Sequence, residues 1–205
     1  MDQEFVTGGL SNGQPSVILG ALWGVCRLMA KVDVFIDGDN ISIECQKLYG
    51  ARPDYKTLAR LVASRFHHTL GTVRYYDSPT RNPIVQPRQQ RFWEELRQKH
   101  IEVKLGRTEP NYDGTHRQKE CDVMVACDML YGAFTTEYDL AVLISGDTDY
   151  AYALEMVTRQ GREVGWVYLP SQEHVDRIKQ VVQVERRLLL DEKTFRTVML
   201  RPPAR

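Results

Sequence analysis

The sequence predicts a single α/β domain built on a parallel sheet with helices on both faces. From residue 31 onward, short β-rich runs alternate with longer stretches of helical periodicity, and parallel neighbours need crossover connections of that length. The β-rich runs are mostly apolar, as in VDVFID and LAVLIS, which suits strands covered on both faces. A length of 205 residues favours one domain with a sizeable core.

The elements follow in order. Val32–Asp37 is the first strand, followed by a helical stretch over Ile41–Leu48. Pro53 and Asp54 open a second helix, in which Leu58, Leu61, Val62 and Phe66 recur at helical spacing. Thr72–Asp77 is the second strand, ended by Ser78-Pro79. The segment Thr80–Gln90 is a loop turning into a helix whose inner stripe is Phe92, Trp93 and Leu96. Ile101–Gly106 alternates and makes a third strand. A polar loop over Arg107–Gln118 leads to an amphipathic helix over Lys119–Phe134. Leu140–Ser145 is fully apolar and the most deeply buried strand. A helix over Asp149–Gln160 is closed by Gly161, and Glu163–Leu169 is the fifth strand. Beyond Leu169 the pattern gives one further helix and a short basic end at residues 201–205, with no functional signal. The organisation expected is an N-terminal extension over residues 1–30, a catalytic domain over 31–170 and a C-terminal helix and tail over 171–205.

Composition narrows the function classes. Hydrophobic residues at 42% and charged residues at 26% are ordinary for a globular chain. Lys+Arg and Asp+Glu both number 27, which argues against a generic polyanion binder, because phosphate-driven affinity needs surplus cations. Cys26, Cys45, Cys121 and Cys127 form no C-x-x-C pair and have no zinc-ligand spacing. Free thiols point to a reducing, cytoplasmic compartment. No apolar stretch is long enough to span a membrane. The run Val17–Met29 resembles a signal peptide only superficially, since Asp2 and Glu4 precede it and no small-residue cleavage site follows. Two readings stand for it: a docking segment, or a non-native extension upstream of a start at Met29.

The acids carry the chemistry. In an open parallel sheet, ligands bind beyond the carboxyl ends of the strands, where strand order reverses. The first strand ends in Asp37-Gly38-Asp39-Asn40 and the fourth in Ser145-Gly146-Asp147-Thr148-Asp149. If those strands are neighbours, Asp37 and Asp147 share a crevice, and Asp122 in the first turn of the preceding helix is a third candidate. Two carboxylates at ~4 Å repel by about 4 kcal/mol at an effective dielectric near 20. A hard cation relieves this, and an all-oxygen set selects Mg²⁺ or Mn²⁺ over zinc. Such an ion can orient a phosphodiester and activate a water. Each acid also has a plainer reading: Asp37 as a turn residue, Asp147 and Asp149 as turn acid and helix cap, Asp122 as a complement to a helix dipole. Asp128, on another helix face, reads as a hydrogen-bonded surface acid.

Cations gather in the loops expected at this edge: Arg81, Arg88 and Arg91 after the second strand, and Arg107, His116, Arg117 and Lys119 after the third. They suit phosphate clamping, against the plainer reading of solvated loop charges. Tyr112, Tyr75 and Tyr76 are candidates for base stacking, although strand aromatics usually pack in the core.

Three motifs in order resemble the NYN domain of the PIN-like nuclease superfamily, including its LabA-like members: Val32–Asn40 (VDVFIDGDN), Lys119–Val123 (KECDV) leading to Cys127–Leu130 (CDML), and Leu143–Tyr150 (LISGDTDY). The resemblance covers roughly residues 31–170. It implies a three-layer α/β/α sandwich with a parallel five-stranded sheet in the order 3-2-1-4-5. It also implies Asp37, Asp122 and Asp147 as metal-binding acids, Asp149 as a fourth catalytic acid, and Asn40, Ser145 and Lys119 as supporting residues. The chain departs from the family in Glu120-Cys121 before the helix aspartate and in Tyr150 where Phe is common. The function expected is a Mg²⁺- or Mn²⁺-dependent endoribonuclease acting on RNA, with Arg81, Arg88, Arg107 and Arg117 on the substrate path and a homodimer or protein partner as further expectations. Two alternatives remain: an RNA-binding or regulatory module of the same fold, and a haloacid dehalogenase-like phosphatase using Asp37 and Asp39 as its D-x-D pair.

Overall fold

The structure, a computed structural model, describes residues 30–112 and 116–199. The readings of the N-terminal extension, of Cys26 and of the basic end at 201–205 lie outside these residues. The chain runs β1 (Lys31–Asp37), α1 (Gly38–Tyr49), α2 (Tyr55–Arg65), β2 (Thr69–Asp77), α3 (Gln86–Gln98) and β3 (Glu102–Leu105). It continues through β4 (Arg107–Pro110), β5 (His116–Lys119), α4 (Cys121–Phe134), β6 (Leu140–Ile144), α5 (Ala151–Arg159), β7 (Glu163–Tyr168), α6 (Asp176–Val181), β8 (Arg187–Leu189) and α7 (Glu192–Val198).

Six strands form one sheet in the order β3-β2-β1-β6-β7-β8, and every neighbouring pair is parallel. The five expected strands take the order 3-2-1-4-5, and a sixth extends the sheet beyond the fifth. β8 escaped the sequence reading because three half-buried residues in a charged stretch show no periodicity. The segment after Leu169 is likewise more than one helix: α6, β8 and α7 all dock. Phe195 and Val198 of α7 enter the core, and the Phe195 ring stacks on Tyr49 at 4.3 Å.

Side-chain parity along β1 and β6 assigns the two faces. Val32, Val34, Ile36, Leu140, Val142 and Ile144 pack with α1, α2, α3 and α7. Phe35, Ala141 and Leu143 pack with α4, α5 and α6 on the other side. Alternation then carries Asp37 and Ser145, one step further along their strands, onto the α4–α5 side of the sheet edge. Asp77, in step with Tyr75, falls on the opposite side near Trp93.

Two further departures concern local structure. The predicted polar loop at Arg107–Gln118 contains the antiparallel ribbon β4–β5, with Arg107 opposite Lys119 and Glu109 opposite Arg117; its charged side chains conceal the strand pattern. Lys119 therefore ends a strand, and the helix begins at Cys121 after Glu120, whose φ of 79° breaks the chain direction. Strand β2 starts at Thr69 because a register shift opposite Val32–Val34 absorbs an extra residue before the regular pairing. Among the described residues, no helix is long and apolar enough to cross a membrane.

Candidate metal and catalytic site

β1 and β6 are neighbours, so the strand order reverses between them, and the crevice beyond their carboxyl ends is the place where such a sheet binds ligands. Asp37 closes β1 and caps α1: its Oδ1 accepts the Asn40 backbone N–H at 3.2 Å. The helix thus starts at Gly38, three residues before the sequence pattern shows it, because the cap satisfies an otherwise orphaned donor. Gly38 allows this approach, since a Cβ there would stand 2.5 Å from the Tyr76 carbonyl oxygen.

The other carboxylate oxygen of Asp37 faces β6 and α4. Its Oδ2 accepts from the Ser145 hydroxyl at 2.9 Å and from the Tyr150 hydroxyl at 3.3 Å. Tyr150 also donates to Asp122 Oδ1 at 2.8 Å, so one phenol links the acid of β1 to the acid of α4. The Ser145 hydroxyl accepts the Asp147 N–H at 3.1 Å, and the Ser145 carbonyl accepts from Trp166 Nε1 at 2.7 Å. Asp147 caps the short 3-10 turn at Thr148–Tyr150 by accepting the Asp149 N–H at 2.9 Å. The capping role therefore falls to Asp147, while the Asp149 side chain is exposed.

Asp37 is 8% exposed. Burial pushes its carboxyl up to about 6, the negative charges of Asp122 and Asp147 adding to the rise while Ser145 and the Asn40 N–H oppose it. Burial also drives the Tyr150 phenol far above its ordinary range, with Asp37 and Asp122 acting in the same sense. The hydroxyl therefore keeps its one proton, which it shares between the two acids with the shorter contact to Asp122.

Asp37 and Asp122 open onto a cavity of about 60 Å³, whose remaining walls include Asp39, Tyr76, Gln118, Lys119 and Cys121. That volume holds several waters. Among the described residues, no three His, Cys, Asp or Glu side chains converge closely enough to hold a metal ion between them. Two carboxylates on a wet cavity nonetheless fit Mg²⁺ chemistry, because that ion keeps much of its water and binds proteins through one or two carboxylates. The all-oxygen donors and the strained ionisation of Asp37 both match a hard cation.

The remaining predicted residues divide clearly. Asn40 supports the site: its Oδ1 accepts the Gly146 N–H at 2.9 Å. Lys119 lines the cavity and pairs with Glu109 at 2.8 Å. Arg107 pairs with Glu120, and Arg81 donates to the Thr108 carbonyl at 2.9 Å, tying the loop after β2 to the ribbon. Arg88, Arg91 and Arg117 are exposed, whereas the side chain of His116 lies outside the described part. Asp128 is a hydrogen-bonded acid away from the cavity, accepting from Tyr76 and Lys104 at 2.7 Å each. Tyr75 and Tyr76 are buried core residues, which removes them as stacking platforms, while Tyr112 is fully exposed.

Three contributors escaped sequence reasoning. Tyr150 reads as a mild substitution until its hydroxyl is seen between two acids. Gln172 donates to Asn40 Oδ1 at 2.9 Å and stands in a segment with no motif. Asp77 accepts from Trp93 Nε1 at 2.7 Å and from the Ser78 N–H at 2.7 Å, and it forms a hydrogen-bonded carboxyl pair with Asp39. Burial and the Asp77 charge raise Asp39, which makes it the proton-bearing member. The D-G-D spelling does signal Asp39, but nothing local to Asp77 announces its partner.

Comparison with known proteins identifies the family and the fold. A family model described as the NYN domain matches residues 31–184. A solved structure from Vibrio parahaemolyticus, of a protein of unknown function, superposes with a TM-score of 0.67 at 19% identity, covering 85% of this chain and 98% of that one. That likeness concerns the fold alone. No curated protein matches the chain.

Proposed function

Because this chain belongs to the NYN domain family, whose members are generally nuclease-like, we propose that it is a divalent-metal-dependent endoribonuclease working at the β1–β6 crevice. The observation that carries the reading is the Tyr150 hydroxyl bridging Asp37 and Asp122 on the wall of a polar cavity. Acids of this kind are unfavourable together without a cation, and the fold positions them rather than separating them.

Asp37 and Asp122 would hold the ion, with Asp147 as the third carboxylate acting on Asp37. When bound, Mg²⁺ or Mn²⁺ would supply charge for a phosphodiester and lower the pKa of a water. Ser145 and Tyr150 fix the Asp37 carboxylate so that its geometry costs no reorganisation during the reaction. Asp149, exposed beside Asp147, orients the attacking water. Arg88 and Arg117 lie toward the phosphates, since Arg81, Arg107 and Lys119 already have partners within the protein. The phosphatase alternative has no support in the family match. The regulatory RNA-binding module keeps the same fold and differs only in the outcome with substrate.

The test is cleavage of a mixed single-stranded and structured RNA pool in Mn²⁺, Mg²⁺ or EDTA, with wild type beside Asp37→Asn. Metal-dependent cutting that leaves 5′-phosphate ends and vanishes in the variant is expected. Ends bearing 2′,3′-cyclic phosphate would refute hydrolysis by water. Binding that persists in EDTA, without cutting in any metal, would favour the RNA-binding module.

A further inference from the structure

Gln172 ends a single 3-10 turn at Pro170–Gln172, just past β7, and is 6% exposed. A buried amide needs partners at both ends, and this one has them. Its Oε1 accepts the Leu169 N–H at 3.0 Å, and its Nε2 donates to Asn40 Oδ1 at 2.9 Å. The same Asn40 atom accepts the Gly146 N–H at 2.9 Å. A backbone N–H can only donate, so the atom receiving both bonds is the amide oxygen. One oxygen thereby joins the segment after β7, the first turn of α1 and the loop that carries Asp147. The packing is close: a Cβ on Gly146 would stand 2.2 Å from Gln172 Cδ.

From this geometry we propose that Gln172 is a positioning residue for the acidic site, fixing the orientation of the Asn40 amide and thereby the Ser145–Asp147 loop against Asp37. The kinetic and metal-binding parts of the inference rest on the metal-dependent nuclease reading; the structural part does not. With Gln172 donating, Asn40 must present its oxygen toward the segment after β7 and toward Gly146 alike. A carboxylate at position 172 has no proton to donate there, so the Asn40 amide turns its NH₂ toward it. The Gly146 N–H then meets a donor instead of an acceptor. The loop it anchors runs directly into the Asp147 N–H, which bonds Ser145 Oγ, which in turn bonds Asp37.

The experiment compares the full chain with Gln172→Glu and with the isosteric, apolar Gln172→Met, which keeps the test alive if the charged variant does not fold. Amide hydrogen exchange is followed residue by residue without metal, Mn²⁺ binding is measured by calorimetry, and RNA cleavage is measured last. Exchange at Gly146 is expected to rise about 10-fold or more in Gln172→Glu, and by less in Gln172→Met, where the Asn40 oxygen is released but not turned away, while amides in β1 and β7 keep their protection. Mn²⁺ affinity is expected to fall about 10- to 100-fold, the usual effect of losing an outer-shell partner, and kcat to fall with KM for RNA unchanged. Wild-type exchange at Gly146 would overturn the proposal. Faster exchange with unchanged Mn²⁺ affinity would also overturn it, leaving a clamp of purely structural effect. If wild type cuts no RNA, the exchange measurement still decides the structural role of Gln172, and only the nuclease reading fails.

Discussion

Replacing Asp37 with Asn is expected to stabilise the metal-free protein at neutral pH while abolishing its activity. Burial, reinforced by Asp122 and Asp147, lifts the Asp37 carboxyl from 3.8 to about 6, so the folded state holds this proton more tightly than the unfolded chain. The stability so gained is fully present below about pH 4 and is lost as the pH rises through about 6. A rise of roughly two pH units, at about 1.4 kcal/mol each, is worth ~3 kcal/mol. Asn carries no charge to desolvate and escapes the loss. Its amide must adapt to the Ser145 and Tyr150 hydroxyls, and that cost is the same at either pH. The quantity to measure is therefore the stability difference between variant and wild type at pH 7.5, less the same difference at pH 4. It should favour the variant by ~3 kcal/mol, or about 6–12 °C in Tm for a domain of this size. Thermal unfolding by circular dichroism in EDTA gives both values. Equal differences at the two pH values would refute the assignment of Asp37 as a strained, ionised acid. Adding Mn²⁺ at about 100 times its Kd should then raise wild type by ~2.7 kcal/mol and leave the variant unmoved.

Tyr150→Phe keeps the ring in the core and removes only the hydroxyl between Asp37 and Asp122. Cleavage should fall at least about 10-fold with folding preserved, since a hydrogen bond to a charged group is worth about 1.5–3 kcal/mol; an unchanged rate would deny the phenol a role. Asp77→Asn should cost about 1–3 kcal/mol of stability by urea unfolding, because an amide NH₂ would face one of the donors Trp93 or Ser78. The same variant should keep its stabilisation by Mn²⁺, and loss of that response would move Asp77 into the metal site. Arg88→Ala combined with Arg117→Ala should reduce the salt slope of RNA binding by about 2, as expected for two phosphate contacts. Fluorescence anisotropy across a salt series reads it, and an unchanged slope would take both arginines off the RNA path.

Where side chains repeat at the period of their element, the sequence was readable. VDVFID and LAVLIS announced buried strands; their adjacency was implied by the family resemblance, and parity then brings Asp37 and Ser145 to one face of the sheet edge. Asp54 at the start of α2 and Gly161 after α5 marked their helix ends by ordinary capping chemistry. Elements whose pairing is set by distant partners were not readable. The ribbon β4–β5 is held by ladder bonds and by ion pairs such as Lys119–Glu109, so its residues look like a loop. β8 is only a strand because β7 supplies its partner. At the site, the acids were legible as types, but the groups that fix them were not. Tyr150 and Trp166 act through one polar atom each and Gln172 through its amide, and such isolated contacts leave no periodic trace.

The carboxyl groups around the cavity fall into two sets when their lone pairs are counted. An ionised carboxylate offers about four acceptor sites. Asp77 receives the Ser78 N–H, Trp93 Nε1, Gln89 Nε2 and the Asp39 proton, which saturates it. Asp39 is committed to that bond. This pair fastens the start of α1 to the end of β2, and the oxygens of Asp77 are spent on the protein. Asp37 receives two donors of its own and shares the single Tyr150 proton with Asp122, while Asp147 receives one from the Asp149 N–H. Asp149 receives none that the described residues show. Unused acceptor capacity lies with Asp37 and Asp122 on the cavity and with Asp147 and Asp149 in the loop after β6. A cation or an activated water needs lone pairs that the fold has not already consumed, and those four acids retain them.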